Sequence, residues 1–150
     1  MNIVLGTDHR GFAHKEFLKK HTTLAGAAIS WIDVGADNDL RSDYPIFATK
    51  ACCMLQKGEA EKAILLCGSG VGMAIAANRY EGIYAALVWN SAIATLSVED
   101  DGANVLVIPA DFVDTAELVA IVEAWLTAQF KEGRYRRRKD EVDRLGGVRC

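Results

Sequence analysis

A short apolar run, Lys62-Ala63-Ile64-Leu65-Leu66-Cys67, breaks into Gly68-Ser69-Gly70-Val71-Gly72 and passes at once into Met73-Ala74-Ile75-Ala76-Ala77-Asn78. A buried strand that ends on a glycine-rich turn and enters a helix without a spacer is one half of a β-α-β unit. Such a unit requires a parallel sheet. The same arrangement sets a thiol at the C-terminal end of a strand and close to a helix N-terminus, where backbone N–H groups converge. That setting predicts a lowered thiol pKa and a pocket favourable to a developing oxyanion. The competing reading is a tight strand-to-helix turn around a buried structural cysteine.

The rest of the chain alternates in the same way. Strands are predicted near 2–7, 28–34, 62–67, 83–88 and 104–108. Helices are predicted near 11–21, 44–56, 71–79, 91–98, 113–129 and 135–144. Strands alternating with helices imply an α/β fold, a Rossmann-like three-layer sandwich with a five-stranded parallel sheet and right-handed crossovers. Ligands of such folds bind beyond the carboxyl ends of the strands. Asp8 and His9, Cys67 to Ser69, and Trp89 and Asn90 are therefore expected along one rim. No internal repeat, low-complexity run or linker interrupts the 150 residues, which are read as one domain ending in a basic helix.

Hydrophobic residues at 51% and charged residues at 25% suit a globular chain, and no apolar run nears the ~20 residues of a membrane span. The N-terminus reads as a strand with no basic signal region, so a cytoplasmic protein is expected. Cys52, Cys53, Cys67 and Cys150 form no CxxC pair and no zinc-like group with His9, His14 and His21. No disulfide is expected: Cys52 and Cys53 read as packing residues and Cys150 as incidental. Charge is unevenly spread. Of 17 basic and 20 acidic side chains, residues 131–150 hold eight and four. A basic tail on an acidic body suggests an anionic ligand. Nucleic acid is disfavoured by the acidic body and the lack of interleaved aromatic residues.

The glycine loop is not a P-loop, because no Gly-Lys-Ser/Thr follows, and it matches a dinucleotide fingerprint only weakly. Ser69 could cap the following helix or offer its hydroxyl to a substrate. Asp8-His9 could be a capping aspartate with a surface histidine, or a pair that binds a hydroxyl and an anion. Asp43-Tyr44-Pro45 opens a helix with Asp43 as cap and Pro45 in the first turn. Tyr44 either staples that end or turns its hydroxyl to the pocket. Arg134 and Arg138, four residues apart, share a helix face and could clamp a phosphate.

These pieces together resemble one family, the sugar-phosphate isomerases comprising type B ribose-5-phosphate isomerase and galactose-6-phosphate isomerase. The resemblance rests on Gly6-Thr7-Asp8-His9-Arg10-Gly11-Phe12, Ser42-Asp43-Tyr44-Pro45, Leu66 to Met73, Ala76-Ala77-Asn78-Arg79, Gly82-Ile83 with Ala85-Ala86-Leu87, Ala103 to Leu106, and Gly133-Arg134 with Arg138. It implies metal-independent aldose–ketose isomerisation of a phosphorylated sugar through a cis-enediolate, with no cofactor. It implies that Cys67 moves the proton, while the Gly68, Gly70 and Gly72 loop and the Ser69 hydroxyl hold the enediolate oxygens. It assigns phosphate to His9, Arg134 and Arg138, and sugar hydroxyls to Asp8 and Tyr44. It implies a homodimer or dimer of dimers with the site at the subunit interface.

The chain departs from that pattern around the substrate. The family's ring-opening histidine falls at Asp100 and the next asparagine at Asp101; Tyr84, Asp111 and Tyr135 replace an arginine, an arginine and a histidine, and Trp89-Asn90 stands for a His-Asp pair. Three readings stay open: ribose 5-phosphate to ribulose 5-phosphate or a close relative, an acyclic tetrose phosphate that needs no ring opening, or the cysteine-bearing subunit of a heteromeric hexose-6-phosphate isomerase. A sugar-phosphate sensor is the non-enzymatic alternative.

Overall fold

Five apolar segments pair in parallel to build the sheet, and the computed structural model describes them together with all residues 1–150. In chain order the strands are β1 (Asn2–Thr7), β2 (Thr23–Leu24), β3 (Ala27–Ala28), β4 (Ser30–Asp33), β5 (Lys62–Cys67), β6 (Ala85–Leu87) and β7 (Val105–Pro109). The helices are α1 (Phe12–Leu18), α2 (Tyr44–Gln56), α3 (Val71–Ala77), α4 (Ser91–Asp101), α5 (Thr115–Thr127) and α6 (Arg134–Asp143). The sheet order is β4-β1-β5-β7-β6, the α/β three-layer sandwich expected. The predicted strand at 28–34 is shorter. A small antiparallel hairpin of β2 and β3 precedes it, turning at Ala25-Gly26.

Side chains on each strand alternate between two cores. Ile3, Leu5, Ile64, Leu66, Leu106 and Ile108 meet α1, α4 and α5, where Trp125 is fully buried. Val4, Ala63, Leu65, Cys67, Val105 and Val107 meet α2 and α3. The period of two along β5 therefore turns Cys67 toward α2 and α3. Strand β1 pairs with β4 on one side and β5 on the other. The chain leaves β1 in one direction and returns to its opposite flank, so a crevice opens above the carboxyl ends of β1 and β5.

The C-terminal tail corrects the cysteine expectation. Cys53 and Cys150 form a disulfide with Cα atoms 5.5 Å apart. The α2 helix buries Cys52 and turns Cys53 outward. The tail after α6 runs back past it, with the Val148 N–H donating to Arg79 O at 2.8 Å and the Glu81 N–H to Val148 O at 3.0 Å. Spacing alone carries no sign of this pairing, because 97 residues separate the two thiols and only the fold brings them together.

Candidate active site

The crevice is built from the strand ends outward. Strand β1 ends at Thr7, and the next two residues turn into a short 3-10 helix, His9–Gly11. Asp8 is buried, and its Oδ1 accepts from the Arg10 N–H at 2.9 Å. His9 and Ser42 hold one another: the His9 N–H donates to Ser42 Oγ at 3.1 Å and the Ser42 N–H to His9 Nδ1 at 3.3 Å. The accepting Nδ1 places the proton of the neutral ring on Nε2. This pair also ties the segment before α2 to the end of β1.

Cys67 ends β5 at 5% exposure. Burial pushes its thiol above the ordinary range, N–H groups of Met73, Gly70 and Ser69 pull against that, and the nearby Asp8 charge adds to the rise. The net direction is upward, which corrects the expectation of a lowered pKa. The helix-end N–H groups are present as anticipated, but desolvation of the thiolate outweighs them. Ser69 is exposed, and its Oγ accepts from the Val71 N–H at 3.4 Å, which leaves the hydroxyl proton free to donate. Gly70 stands at φ +75, the left-handed conformation that lets the chain turn into α3.

Bare backbone in the loop lets side chains lie directly on it. A Cβ at Gly72 would fall 2.6 Å from Cζ of Tyr44, so the tyrosine ring rests on that glycine. A Cβ at Gly68 would fall 2.6 Å from Arg10 Nε and 2.7 Å from an Asp111 carboxylate oxygen. Asp43 occupies the N-cap position of α2 and Pro45 its first turn, as expected, but the Asp43 carboxylate makes no capping bond. Its carbonyl accepts from the Ile46 N–H at 3.2 Å instead.

The Ribose/Galactose Isomerase family model matches residues 3–142. This chain belongs to that family. It is 37% identical over 145 residues to the probable ribose-5-phosphate isomerase B of Mycoplasma genitalium, covering 95% of this chain and 94% of the relative. It is 36% identical over 131 residues to the D-erythrulose-4-phosphate isomerase 2 of Mycolicibacterium smegmatis, covering 87% and 86%. The crystal structure of a ribose 5-phosphate isomerase from Thermotoga maritima superposes with a TM-score of 0.90 at 38% identity, covering 95% of this chain and 97% of that one.

Within this Ribose/Galactose Isomerase chain the expected site residues form two groups. Asp8, His9, Tyr44, Gly68, Ser69, Gly70 and Gly72 gather around Cys67. Asp100, Asp101, Arg134 and Arg138 lie at the other end of the sheet. Helix α4 runs back from the carboxyl end of β6 to the start of β7, and Arg138 lines a cavity of about 330 Å³ with Asp101, Ala103 and Tyr84. The register Ala63↔Val105 and Cys67↔Pro109 puts about 13 Å of strand between that end and the thiol. Asp100 is engaged: Lys131 Nζ lies 2.9 Å from its carboxylate and 2.8 Å from that of Glu99. Arg136, Arg137 and Lys139 pair with Glu132, Glu141 and Asp143 along α6, whereas Arg134 hydrogen-bonds only the Tyr135 hydroxyl, at 2.8 Å, and Arg138 has no ion-pair partner. Asn90 spends its side chain capping α4, accepting from the Ile93 N–H at 2.9 Å, and Trp89 is exposed beside it.

Two side-chain pairings were missed in the sequence. Lys15 is buried in α1, with Nζ 2.6 Å from Ala36 O and 2.9 Å from Asp33 Oδ2. It anchors the segment that leads to Ser42. Its only signal was a charge on the buried face of a helix. Arg10 forms a two-point ion pair with Asp111 across the Gly68 turn. The signal for that pair was the acidic residue at 111 in a place where the family carries an arginine.

Proposed function

We propose that this chain is an aldose–ketose isomerase of a phosphorylated sugar. The observation that carries the reading is a buried thiol at the topological switch point, within reach of the Met73, Gly70 and Ser69 N–H groups and of the Asp8 carboxylate. A proton next to a carbonyl is weakly acidic until the charge on oxygen is received. In this reading the Cys67 thiolate takes the proton from C2 of the aldose, and the electron pair forms the C1–C2 double bond of a cis-enediolate. The Ser69 hydroxyl and the loop N–H groups hold the oxygen charge. Return of the proton to C1, with the hydroxyl proton passing from O2 to O1, gives the ketose. Asp8 and Tyr44 contact hydroxyls, and His9 offers its Nε2 proton to the phosphate.

Arg134 and Arg138 complete the phosphate site from a second copy of the chain. Two features support a homodimer. The arginines stand far from their own Cys67, and apolar side chains around the crevice are uncovered: Ile46, Val71, Ile75 and Phe112 are all exposed. Residues 1–150 act as one cytoplasmic domain.

Ribose 5-phosphate to ribulose 5-phosphate is the first substrate pair to test. The engagement of Asp100 with Lys131 supports a second one. A furanose must be opened by an acid or base free to reach the ring, and the Asp100 carboxylate is engaged by Lys131 at 2.9 Å. Erythrose 4-phosphate cannot close a five-membered ring, because its C4 oxygen is esterified. NMR of the purified chain with each sugar in turn decides the matter. Isomerisation of either supports the enzyme reading, and its absence with both, while a sugar phosphate still binds, would favour a sensor.

A further inference from the structure

Arg10 lies across the mouth of the Cys67 turn with part of its guanidinium open to solvent. Its backbone N–H caps onto Asp8, and its side chain crosses the turn that follows Cys67. Arg10 Nε donates to Asp111 Oδ1 at 3.1 Å, and Nη2 donates to Oδ2 of the same carboxylate. Asp111 is itself fixed to the loop, its N–H donating to Gly68 O at 3.0 Å. The missing side chain at Gly68 makes the room: a Cβ there would strike both partners. Two of the five guanidinium N–H groups are used by Asp111. Three remain, on the edge turned away from the carboxylate, in a side chain about half exposed.

The chain thus carries guanidinium donors in two places. Arg134 and Arg138 lie on α6, at the opposite end of the sheet from the thiol, and the Arg10 side chain lies against Gly68, the residue that follows Cys67. Proton transfer fixes C1 and C2 of the substrate over Cys67. The distance to the phosphate is then set by the number of carbons between, and a four-carbon sugar brings its phosphate one carbon closer than a five-carbon sugar. Resting on the isomerase reading above, we propose that Arg10, oriented by Asp111, is a specificity-determining residue that contacts the phosphate of a four-carbon substrate. A planar fork held by a carboxylate presents its remaining donors to a tetrahedral anion in a fixed direction, which a lysine at this position cannot do.

The test compares the full chain with Arg10→Ala, Arg10→Lys and Asp111→Asn, each checked for native circular dichroism. KM and kcat are measured for erythrose 4-phosphate and ribose 5-phosphate. Binding of 4-phosphoerythronate and 5-phosphoribonate, which cannot isomerise, is measured by calorimetry. Arg10→Ala is expected to raise KM for the tetrose about tenfold more than for the pentose, with kcat changing less than KM, and to weaken 4-phosphoerythronate by a similar factor. Arg10→Lys should recover only part of the loss. Asp111→Asn should cost about threefold while leaving the guanidinium in place. Equal changes for both sugars, full rescue by lysine, or unaltered 4-phosphoerythronate binding would overturn the assignment. Because the acids bind without turnover, this readout fails independently of the isomerase reading: a chain that binds 4-phosphoerythronate through Arg10 but turns over neither sugar keeps the contact and loses the reaction.

Discussion

The thiol of Cys67 sets the residue-scale chemistry through two opposed forces. Three backbone N–H groups favour the thiolate, and burial disfavours it more. A base must be deprotonated to act, so a raised pKa leaves a minor thiolate fraction at neutral pH, and that fraction grows about tenfold per pH unit until the pKa is reached. The pH profile of kcat/KM is therefore expected to keep rising beyond the ordinary thiol value of about 8.5. Cys67→Ala should lower kcat by about a thousandfold or more with the fold retained, since a smaller residue suits the turn. A rate independent of pH between 7 and 9 would overturn the raised pKa, and a Cys67→Ala variant with substantial turnover would remove the thiol from the reaction. The cysteine, its loop and the Asp-His pair were legible in the sequence because they are local. The direction of the pKa shift was not, because it depends on how deeply α2 and α3 bury the end of β5.

At the scale of elements, strands and helices followed the alternation of apolar runs closely. Helix α2 and strand β5 span the residues expected, since turn residues such as Pro45 and Gly68 mark their ends. The β2–β3 hairpin was missed because two-residue strands leave no periodicity to read. Lys15 shows how one buried side chain joins elements. It leaves α1, donates to Ala36 O and meets Asp33 at the end of β4, so it holds the segment between β4 and α2 against β1. Lys15→Met leaves the Ala36 carbonyl and part of the Asp33 carboxylate without a donor. A loss of about 3 kcal/mol is expected in urea unfolding; a change below about 1 kcal/mol would show that the ammonium is not needed there. Burial raises the Asp33 carboxyl pKa, but hydrogen bonds from Lys19, Lys15 and the Gly35 N–H bring it below the ordinary value. A depressed carboxyl pKa contributes stability that is complete above the unfolded value of about 3.9 and is lost as pH falls through the folded one. Asp33→Asn should therefore flatten the acid limb of the stability curve below pH 4.

At the scale of the whole molecule, the Cys53–Cys150 disulfide fastens the end of the chain across a loop of 97 residues. Closing so long a loop restricts the unfolded ensemble, and Cys150→Ser is expected to lower stability by about 4 kcal/mol. The Arg149–Glu81 pair and the Gln56 hydrogen bonds to Glu81 O and Val148 O would still hold the folded tail in place. Equal urea midpoints for the wild type and Cys150→Ser would show that the two thiols are not joined in solution. The distribution of the site across the molecule gives the sharper test. Cys67 and Arg138 stand at opposite ends of one sheet, so the proposed site joins the thiol of one copy to the arginines of another. A Cys67→Ala chain still supplies its arginines, and an Arg138→Ala chain still supplies its thiol. Unfolding and refolding the two together in equal amounts yields mixed dimers in about half of the assemblies. In each mixed dimer one site is doubly damaged and the other is intact, so about one quarter of the wild-type activity should return from two impaired parents. Parents mixed without exchange of subunits should show only their own residual rates. If exchange restores nothing, thiol and arginine serve the same chain and the two-copy site is wrong.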